Sequence, residues 1–494
     1  MKQNQTFSCL GVVGAGAMGA GIAQVAAEAG LEVRLFDARP EAAQQADAAI
    51  RQRQLKRVEQ GKMAADDAQA AGRLLQAVPA LEALADCDIV IEAIVEDIQV
   101  KQTLLLQLEA CLRPDAVLAS NTSSIPIGVL ASACDRRERV AGLHFFNPVP
   151  VMKLVEVIPG PDTTPEIIQG LVELGRRLGK TPVVARDMPG FLVNYGGRAY
   201  PTEALAIVHE GVATPAQVDE IMRDAYGFRM GPFELMDLTG MDVNFPVTSL
   251  IHERFYAEPR LRSTPLHRYM LETGQLGRKT GKGFYRYEPP QAQQPAVFDA
   301  EPVRAVCLHG ASSLQVLVAQ AGAQVLERDD GVAPILIEPM GSDCSTYAAT
   351  HGLDHRRLIA VDTLGDVSRR ITLMRAPVAD EPNVRRVAAL FAQSRSVSLI
   401  HDSPGFVGPR IVAMVANLGC EMAQTGLASV EDIDLAMRLG LNYPQGPLEM
   451  ADSLGVGRLH GLLGELQSIT GDDRYRPSLW LRRRAQLGLS AKDC

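Results

Sequence analysis

The sequence predicts an α/β chain: a doubly wound parallel sheet, an all-helical domain after it, and a degenerate second copy of both. Three observations carry this. Strand-like and helix-like stretches alternate from residue 7 to residue 186, the pattern of a parallel sheet covered by helices. The pattern then turns helical as far as Leu276. Finally, residues 187–237 lie on residues 402–452 without a gap, at a fixed offset of 215. Identical pairs include Asp187/Asp402, Pro189/Pro404, Gly190/Gly405, Phe191/Phe406, Gly231/Gly446, Pro232/Pro447, Glu234/Glu449 and Asp237/Asp452. A period of that size marks a duplicated domain, since solenoids repeat every ~20–50 residues.

Taken in order, Phe7–Val13 is an apolar run that ends in glycines, and a small-residue helix pattern, Met18–Ala29, follows it. A second strand, Leu31–Phe36, stops at Asp37 and completes a βαβ unit. Residues 41–76 read as helical, with a basic stretch at 51–57 that fits a solvated face or the phosphates of a ligand. Strands are expected at 88–94 and 116–120, on either side of a helix Ile98–Leu112. Residues 139–158 hold two strand-like runs divided by Asn147-Pro148-Val149-Pro150. A β-prone tail, 281–287, closes the helical domain, and the Pro- and Gln-rich segment 288–302 reads as a linker. Beyond it, 303–378 alternates again and 404–470 is helical. The expected domains are therefore 1–186, 187–287, 303–400 and 401–494.

Composition narrows the function. At 494 residues the chain exceeds one ordinary core, and its formal charge of −9 argues against a general nucleic-acid binder. Eight scattered cysteines without a CxxC pair predict reduced thiols and no metal site. His351 and His355 have helix-neighbour spacing but lack the glutamate of HExxH, so they are expected on the surface. No apolar run approaches ~18 residues, and Leu10–Val13 is too short for a signal segment, so no membrane span and a cytoplasmic protein are expected.

Gly14-x-Gly16-x-x-Gly19 sits where a strand passes into a helix. The first glycine allows a tight turn, the second lets backbone approach a pyrophosphate, and the third lets helix pack on strand. With Asp37 ending the next strand, this is the fingerprint of a Rossmann-like dinucleotide domain. Asp37 can accept hydrogen bonds from ribose hydroxyls and repel a 2′-phosphate, which favours NAD over NADP. Arg39 nearby pulls the other way.

The strings VVGAGAMGAGIA (12–23), IVIEAIVED (89–97), SNTSSI (120–125), GLHFFNPVPVMKLVEVI (142–158) and PGFLVN (189–194) resemble the signature segments of 3-hydroxyacyl-CoA dehydrogenases over residues 7–287. The length matches the long bacterial form, similar to the 3-hydroxyadipyl- or 3-hydroxybutyryl-CoA enzymes of fatty-acid or aromatic (phenylacetate) catabolism. The resemblance implies NAD-dependent oxidation of an L-3-hydroxyacyl-CoA, bound in a cleft beside the helical domain. It makes His144 the general base and Glu156 its carboxylate partner, with Ser123 and Asn194 on the substrate. It puts Gly14, Gly16, Ala17, Met18, Gly19 and Asp37 on the cofactor, and Glu96, Lys101 and Ser123 near its nicotinamide end. A base is what the chemistry needs, because hydride leaves carbon 3 as the hydroxyl proton departs, and imidazole titrates near working pH. Without the surrounding string, His144 would read as a satisfied core histidine, Ser123 as a helix cap and Asn194 as a turn residue. Glu96 and Lys101 would read as solvated charges at a helix start. Tyr195 departs from the family pattern, which has arginine there. Two rivals are a related dehydrogenase of a free hydroxy acid and a non-catalytic NAD or CoA sensor.

One active site per chain is expected. Laying 357–377 on 139–159 at an offset of 218 puts Asp362 opposite His144 and Met374 opposite Glu156, and the helical match puts Pro409 opposite Asn194. His309-Gly310-Ala311-Ser312-Ser313 replaces the glycine fingerprint. Expected partners are an acyl-CoA substrate, no nucleic acid and no membrane. A homodimer is a further option, and the second helical copy is expected to act as an in-chain pseudo-dimer partner of the first.

Overall fold

The computed structural model describes residues 7–287 and 297–493. Most of the expected linker, 288–296, and Cys494 lie outside the described residues. The chain divides into two compact units. One comprises the chain through Tyr195 together with Thr425–Leu441, and the other comprises Gly196–Gln424 together with Asn442 onward.

The first unit is built on eight strands: β1 (Cys9–Val13), β2 (Glu32–Phe36), β3 (Leu75–Ala77), β4 (Ile89–Glu92), β5 (Val117–Ser120), β6 (Val140–Phe145), β7 (Leu154–Pro159) and β8 (Thr181–Val184). Their spatial order is β3-β2-β1-β4-β5-β6-β7-β8, parallel throughout except for the β6–β7 hairpin. Chain order reverses between β1 and β4, so their carboxyl ends open the crevice where such sheets bind ligands. Side-chain alternation sends Leu10, Val12, Ile89 and Ile91 to one face. There they meet the helices Ala17–Glu28 and Pro165–Arg177 through Ile22, Ala26, Leu171 and Leu174. Cys9, Val13, Val90 and Leu118 point the other way, against Leu104, Leu105 and Leu108 of the helix Ile98–Cys111. The helix expected over 41–76 is two, Ala42–Glu59 and Ala65–Leu74, because the chain turns at Gly61 with φ +67°.

The second unit contains a smaller sheet: β9 (Ala305–Leu308), β10 (Gln324–Val325), β11 (Ile335–Ile337), β12 (Leu358–Asp362), β13 (Arg370–Arg375) and β14 (Ser396–Ile400). The order is β10-β9-β11-β12-β13-β14, again parallel but for one hairpin, β12–β13.

The residues shared by the two repeats perform the same local tasks. Asp187 accepts hydrogen bonds from the Ile127 and Gly128 amides, and Asp402 from those of Cys344 and Ser345. Gly190-Phe191 and Gly405-Phe406 take the same left-handed turn, with φ of 79° and 45° in one copy and 72° and 58° in the other. Glu234 and Glu449 each accept from the amide of the glycine that starts their helix, Gly231 and Gly446. Asp237 holds the Phe284 and Tyr285 amides, and Asp452 holds Ala491 N and Ser490 Oγ. The tail 281–287 is accordingly pinned by Asp237 and forms only isolated bridges, Gly277–Lys282 and Lys282–Arg286, instead of a strand.

The repeats also trade helices. Val430–Leu441, from the second helical repeat, packs on β7 and β8 of the first sheet. Its counterpart at the 215 offset, Pro215–Asp224, packs on β13, where Asp224 and Glu220 pair with Arg370. Within the second unit the equivalent helices Ala199–His209 and Gly408–Gln424 pack on each other.

Candidate active site

The glycine loop has the geometry its spacing predicts. Gly14 adopts φ +104°, and a Cβ there would meet the Ala93 carbonyl oxygen at 2.6 Å. A Cβ on Gly19 would lie 1.8 Å from the Gly14 carbonyl oxygen, so this glycine permits the helix to touch the strand. At Gly16 a Cβ would meet nothing within 4 Å, which leaves space above the loop for a phosphate. Gly16 also starts the helix that contains Ala17 and Met18, with no side chain capping its free amides. Asp37 accepts from the Ala15 amide at 2.7 Å and pairs with Arg39 at 3.1 Å. Burial pushes its carboxyl up, but these bonds outweigh burial and hold it below the usual aspartate range. A cavity of about 840 Å³ extends from the glycines past Asp37 to Leu81, Val95, Val100 and Leu104, an apolar wall suited to a nucleoside. The residues present fit a bound NAD.

The hairpin places the two catalytic candidates opposite each other. His144 of β6 and Glu156 of β7 are register partners, and Nδ1 of the imidazole lies 2.5 Å from Glu156 Oε2. Glu156 is fully buried and His144 nearly so. The other carboxylate oxygen, Oε1, accepts from the amides of Leu192 (3.1 Å) and Val193 (2.9 Å). Those two donors fix the carboxylate, which in turn requires hydrogen on Nδ1 and leaves Nε2 as an acceptor. The rings of Phe146 and Phe191 flank the imidazole, with centroids at 4.5 and 6.0 Å. The proline loop after β6 is anchored by a residue that sequence reasoning missed. Lys180 Nζ donates to the carbonyl oxygens of Val149 (2.5 Å) and Met152 (2.8 Å). No pattern in the sequence marks it.

A buried polar network underlies the remaining candidates. Lys101 is 1% exposed and pairs with Glu92 at 2.9 Å, so the reading of Lys101 as a solvated charge is overturned. Glu92 was also missed, although a carboxylate inside the apolar run IVIE was a signal. Ser120 Oγ donates to it as well. Lys101 Nζ lies 3.4 Å from Glu96. Glu96 Oε1 gathers Thr122 Oγ1 and the Ser123 and Ser124 amides at 2.7, 3.0 and 3.2 Å. Burial raises the Glu96 carboxyl, and the Lys101 charge and these donors bring it below its ordinary range. Asn194 Nδ2 donates to the Ser123 carbonyl oxygen at 3.2 Å, so these two candidates are brought together. The basic stretch is largely occupied within the fold: Arg51 pairs with Asp47, Arg53 donates to Gln24, and Arg57 pairs with Glu28.

The second copy lacks this machinery, with one correction. β12 and β13 pair Asp362 with Thr372, and Ala360 with Met374. Thr372 faces Ser398 of β14 as Glu156 faces Val183 of β8, and Ser398 and Val183 are related by the 215 offset. Thr372, and not Met374, is therefore the counterpart of Glu156, because two residues are missing from the second hairpin. Asp362 accepts a hydrogen bond from Tyr226 Oη at 2.9 Å, and burial pushes its carboxyl up to about 6. His351 and His355 are exposed as expected.

Comparison with known proteins identifies the family. The family profile described as "3-hydroxyacyl-CoA dehydrogenase, NAD binding domain" matches residues 9–188, and that of the C-terminal domain matches twice, at 190–287 and 405–493. The 3-hydroxyadipyl-CoA dehydrogenase of Escherichia coli is 40% identical over 96% of this chain and 97% of its own. A probable 3-hydroxybutyryl-CoA dehydrogenase of Deinococcus radiodurans is 42% identical over 56% of this chain and 99% of its own. The solved structure of a 3-hydroxybutyryl-CoA dehydrogenase from Escherichia coli superposes with a TM-score of 0.87 at 38% identity, covering 98% and 99% of the two chains. The fold and site thus define an NAD-binding oxidoreductase. The chain belongs to the 3-hydroxyacyl-CoA dehydrogenase family. Among the described residues, no helix is long and apolar enough to cross a membrane.

Proposed function

We propose that this chain oxidises the secondary alcohol of an L-3-hydroxyacyl-CoA to the 3-oxoacyl-CoA, with His144 as general base and Glu156 as its orienting carboxylate. The observation that carries the reading is the 2.5 Å contact between His144 Nδ1 and Glu156 Oε2, with the far oxygen of Glu156 tied to two amides. Bound NAD+ supplies the hydride acceptor. Nε2 of His144 takes the hydroxyl proton, and Glu156 stabilises the imidazolium that forms. Ser123, on a loop held by Glu96, and Asn194, which donates to the Ser123 carbonyl, bind the oxygen side of the substrate.

The substrate class follows the relatives that span nearly all of the chain, so a 3-hydroxyadipyl- or 3-hydroxybutyryl-CoA in aromatic (phenylacetate) or fatty-acid catabolism is favoured. The protein acts in the cytoplasm, with the second helical repeat as its in-chain partner. NADH oxidation with a panel of 3-oxoacyl-CoAs of differing length and terminal charge tests the substrate, and free acetoacetate tests the thioester requirement. His144→Gln should lower kcat by ~10²–10⁴-fold while NADH binding survives. Near-normal turnover in that folded variant would sink the assignment.

A further inference from the structure

The reaction makes no use of a pair of thiols at the amino end of the first sheet. Cys9 opens β1, and Cys87 lies two residues before Ile89, the first residue of β4. These strands are hydrogen-bonded neighbours, with Leu10 opposite Ile89. Both cysteines are free, and their sulfurs lie 3.4 Å apart. A disulfide asks for Cα atoms ~4.4–6.8 Å apart. Cys87 stands one residue before Asp88, whose amide donates to the Cys9 carbonyl. A strand spacing of ~4.8 Å and a rise of ~3.3 Å along the strand put the two Cα atoms ~5.8 Å apart, inside that range, so the bond can close by turning side chains.

The two sulfurs differ in access and in acidity. Cys9 is 8% exposed, whereas Cys87 is wholly buried. The hydrogen bond to Cys87 holds the Cys9 thiol below its ordinary range, and the Arg34 charge helps against burial. Cys87 is pushed up by that same contact and by burial. Cys134, buried in the same core, is simply pushed up to about 11. Cys9, the sulfur with access to solvent, is the one that reacts first, and Cys87, 3.4 Å from it, is the one positioned to resolve it.

We propose that Cys9 and Cys87 form a peroxide-sensitive dithiol that closes to an intrachain disulfide and staples β1 to β4. Hydrogen peroxide is the oxidant, small enough to reach a sulfur with so little exposure. Cys9 sulfur attacks one peroxide oxygen, the O–O bond breaks, and Cys9 becomes a sulfenic acid as one water leaves with the thiol proton. Cys87 sulfur then attacks Cys9 sulfur, the S–O bond breaks, and a second water leaves. Each sulfur is oxidised by one electron and the peroxide is reduced to two waters. The bond closes the loop that carries β2 and β3. It lies at the opposite end of the strands from Gly14 and Glu92, so it stiffens the domain without entering the cofactor crevice.

The test uses the full chain treated with hydrogen peroxide and digested without reductant. We expect a peptide linking Cys9 to Cys87 that is two hydrogens lighter than the free pair. A rise of at least ~3 °C in thermal midpoint, reversed by a dithiol reductant, should accompany it. Activity should stay within ~2-fold of the reduced enzyme, because the cofactor loop is untouched. In Cys87→Ser the Cys9 sulfenic acid should persist and be trapped by dimedone, and Cys87→Ala should behave alike if serine disturbs the core. Absence of the linked peptide, equal dimedone trapping with and without Cys87, or an unchanged midpoint in the linked protein would each overturn the proposal.

Discussion

Replacing Glu156 by glutamine keeps the shape of the side chain and tests what its charge does. In the parent protein Oε1 accepts from Leu192 N and Val193 N, and Oε2 faces His144 Nδ1. The amide has one acceptor atom, and two fixed backbone donors claim it. Its NH2 group then points at Nδ1 and donates to it, which moves the ring hydrogen to Nε2. In that tautomer Nε2 cannot take a proton from the substrate. To restore the productive tautomer the amide must flip and turn its NH2 group toward the two backbone donors. Leaving a buried donor unpaired costs ~1–3 kcal/mol, so the flip costs ~2–6 kcal/mol. At ~1.4 kcal/mol per decade this gives a ~30-fold to ~10⁴-fold loss of kcat. The assay is NADH oxidation with acetoacetyl-CoA, run beside NADH titration and thermal melts on the same preparation. NADH affinity should be unchanged, since the amide meets no part of the glycine loop. A folded Glu156→Gln enzyme whose kcat falls by less than ~10-fold would refute the tautomer argument.

Three further outcomes are expected. Asp37→Ser should erode discrimination against NADP in kcat/KM, and equal use of the two cofactors by the parent enzyme would contradict the role of Asp37. Asp219 is 1% exposed, and burial pushes its carboxyl up to about 7 despite bonds from Tyr285 and the amides of Phe233 and Glu234. Because the folded pKa is raised, the folded state binds the extra proton. Its contribution to stability is then full below about pH 4 and lost as pH rises through about 7. Against Asp219→Asn, whose side chain does not titrate, the parent should lose relative stability across that window, and a flat difference in melting temperature would refute the shift. Calorimetry should give one NAD per chain, and two would contradict a single site.

Much of the site was legible because its parts are local in sequence. The glycine spacing fixes a strand–turn–helix, and twelve residues with a proline loop between two strand-like runs suffice to bring His144 to Glu156. What escaped was whatever depends on burial and on how elements pack, which spacing along the chain does not encode. Lys101 reads as a surface lysine until Glu92 of the neighbouring strand is seen beneath it. Lys180 matters only because the carbonyls of Val149 and Met152 converge on it. The second hairpin was misread for a related reason: a fixed offset cannot register a shortened loop, and two residues of slip exchanged Thr372 for Met374. The helix trade had no sequence signal, since Val430–Leu441 carries an apolar face that would suit either sheet.

That trade explains why a chain with one site would keep two copies. Truncation after Tyr287 removes Val430–Leu441 from β7 and β8, and Gly408–Gln424 from Ala199–His209. Both losses strip apolar cover from elements that remain. The charges show that the dependence runs one way. At the 215 offset Tyr195 corresponds to Arg410, so the arginine expected after the first PGF turn is present only in the second copy. Arg410 is fully buried, pairs with Glu203 at 2.9 Å and with Glu210 at 2.8 Å, and meets Tyr475 Oη at 2.6 Å. Glu203, itself fully buried, comes from the first repeat, and its own counterpart is Leu418. The two repeats are therefore unequal at these positions: one supplies the glutamate and a tyrosine, the other the arginine and a leucine. Arg474, 3.3 Å from Glu203, is removed as well, so two truncated chains meeting symmetrically would present Glu203 twice without Arg410 or Arg474, at a cost of ~3–5 kcal/mol for each carboxylate left unpaired. The truncated chain should therefore aggregate or form a dimer weakened by that charge, and Glu203→Leu should strengthen the dimer in sedimentation. A well-behaved, active, monomeric truncation would refute the partner role.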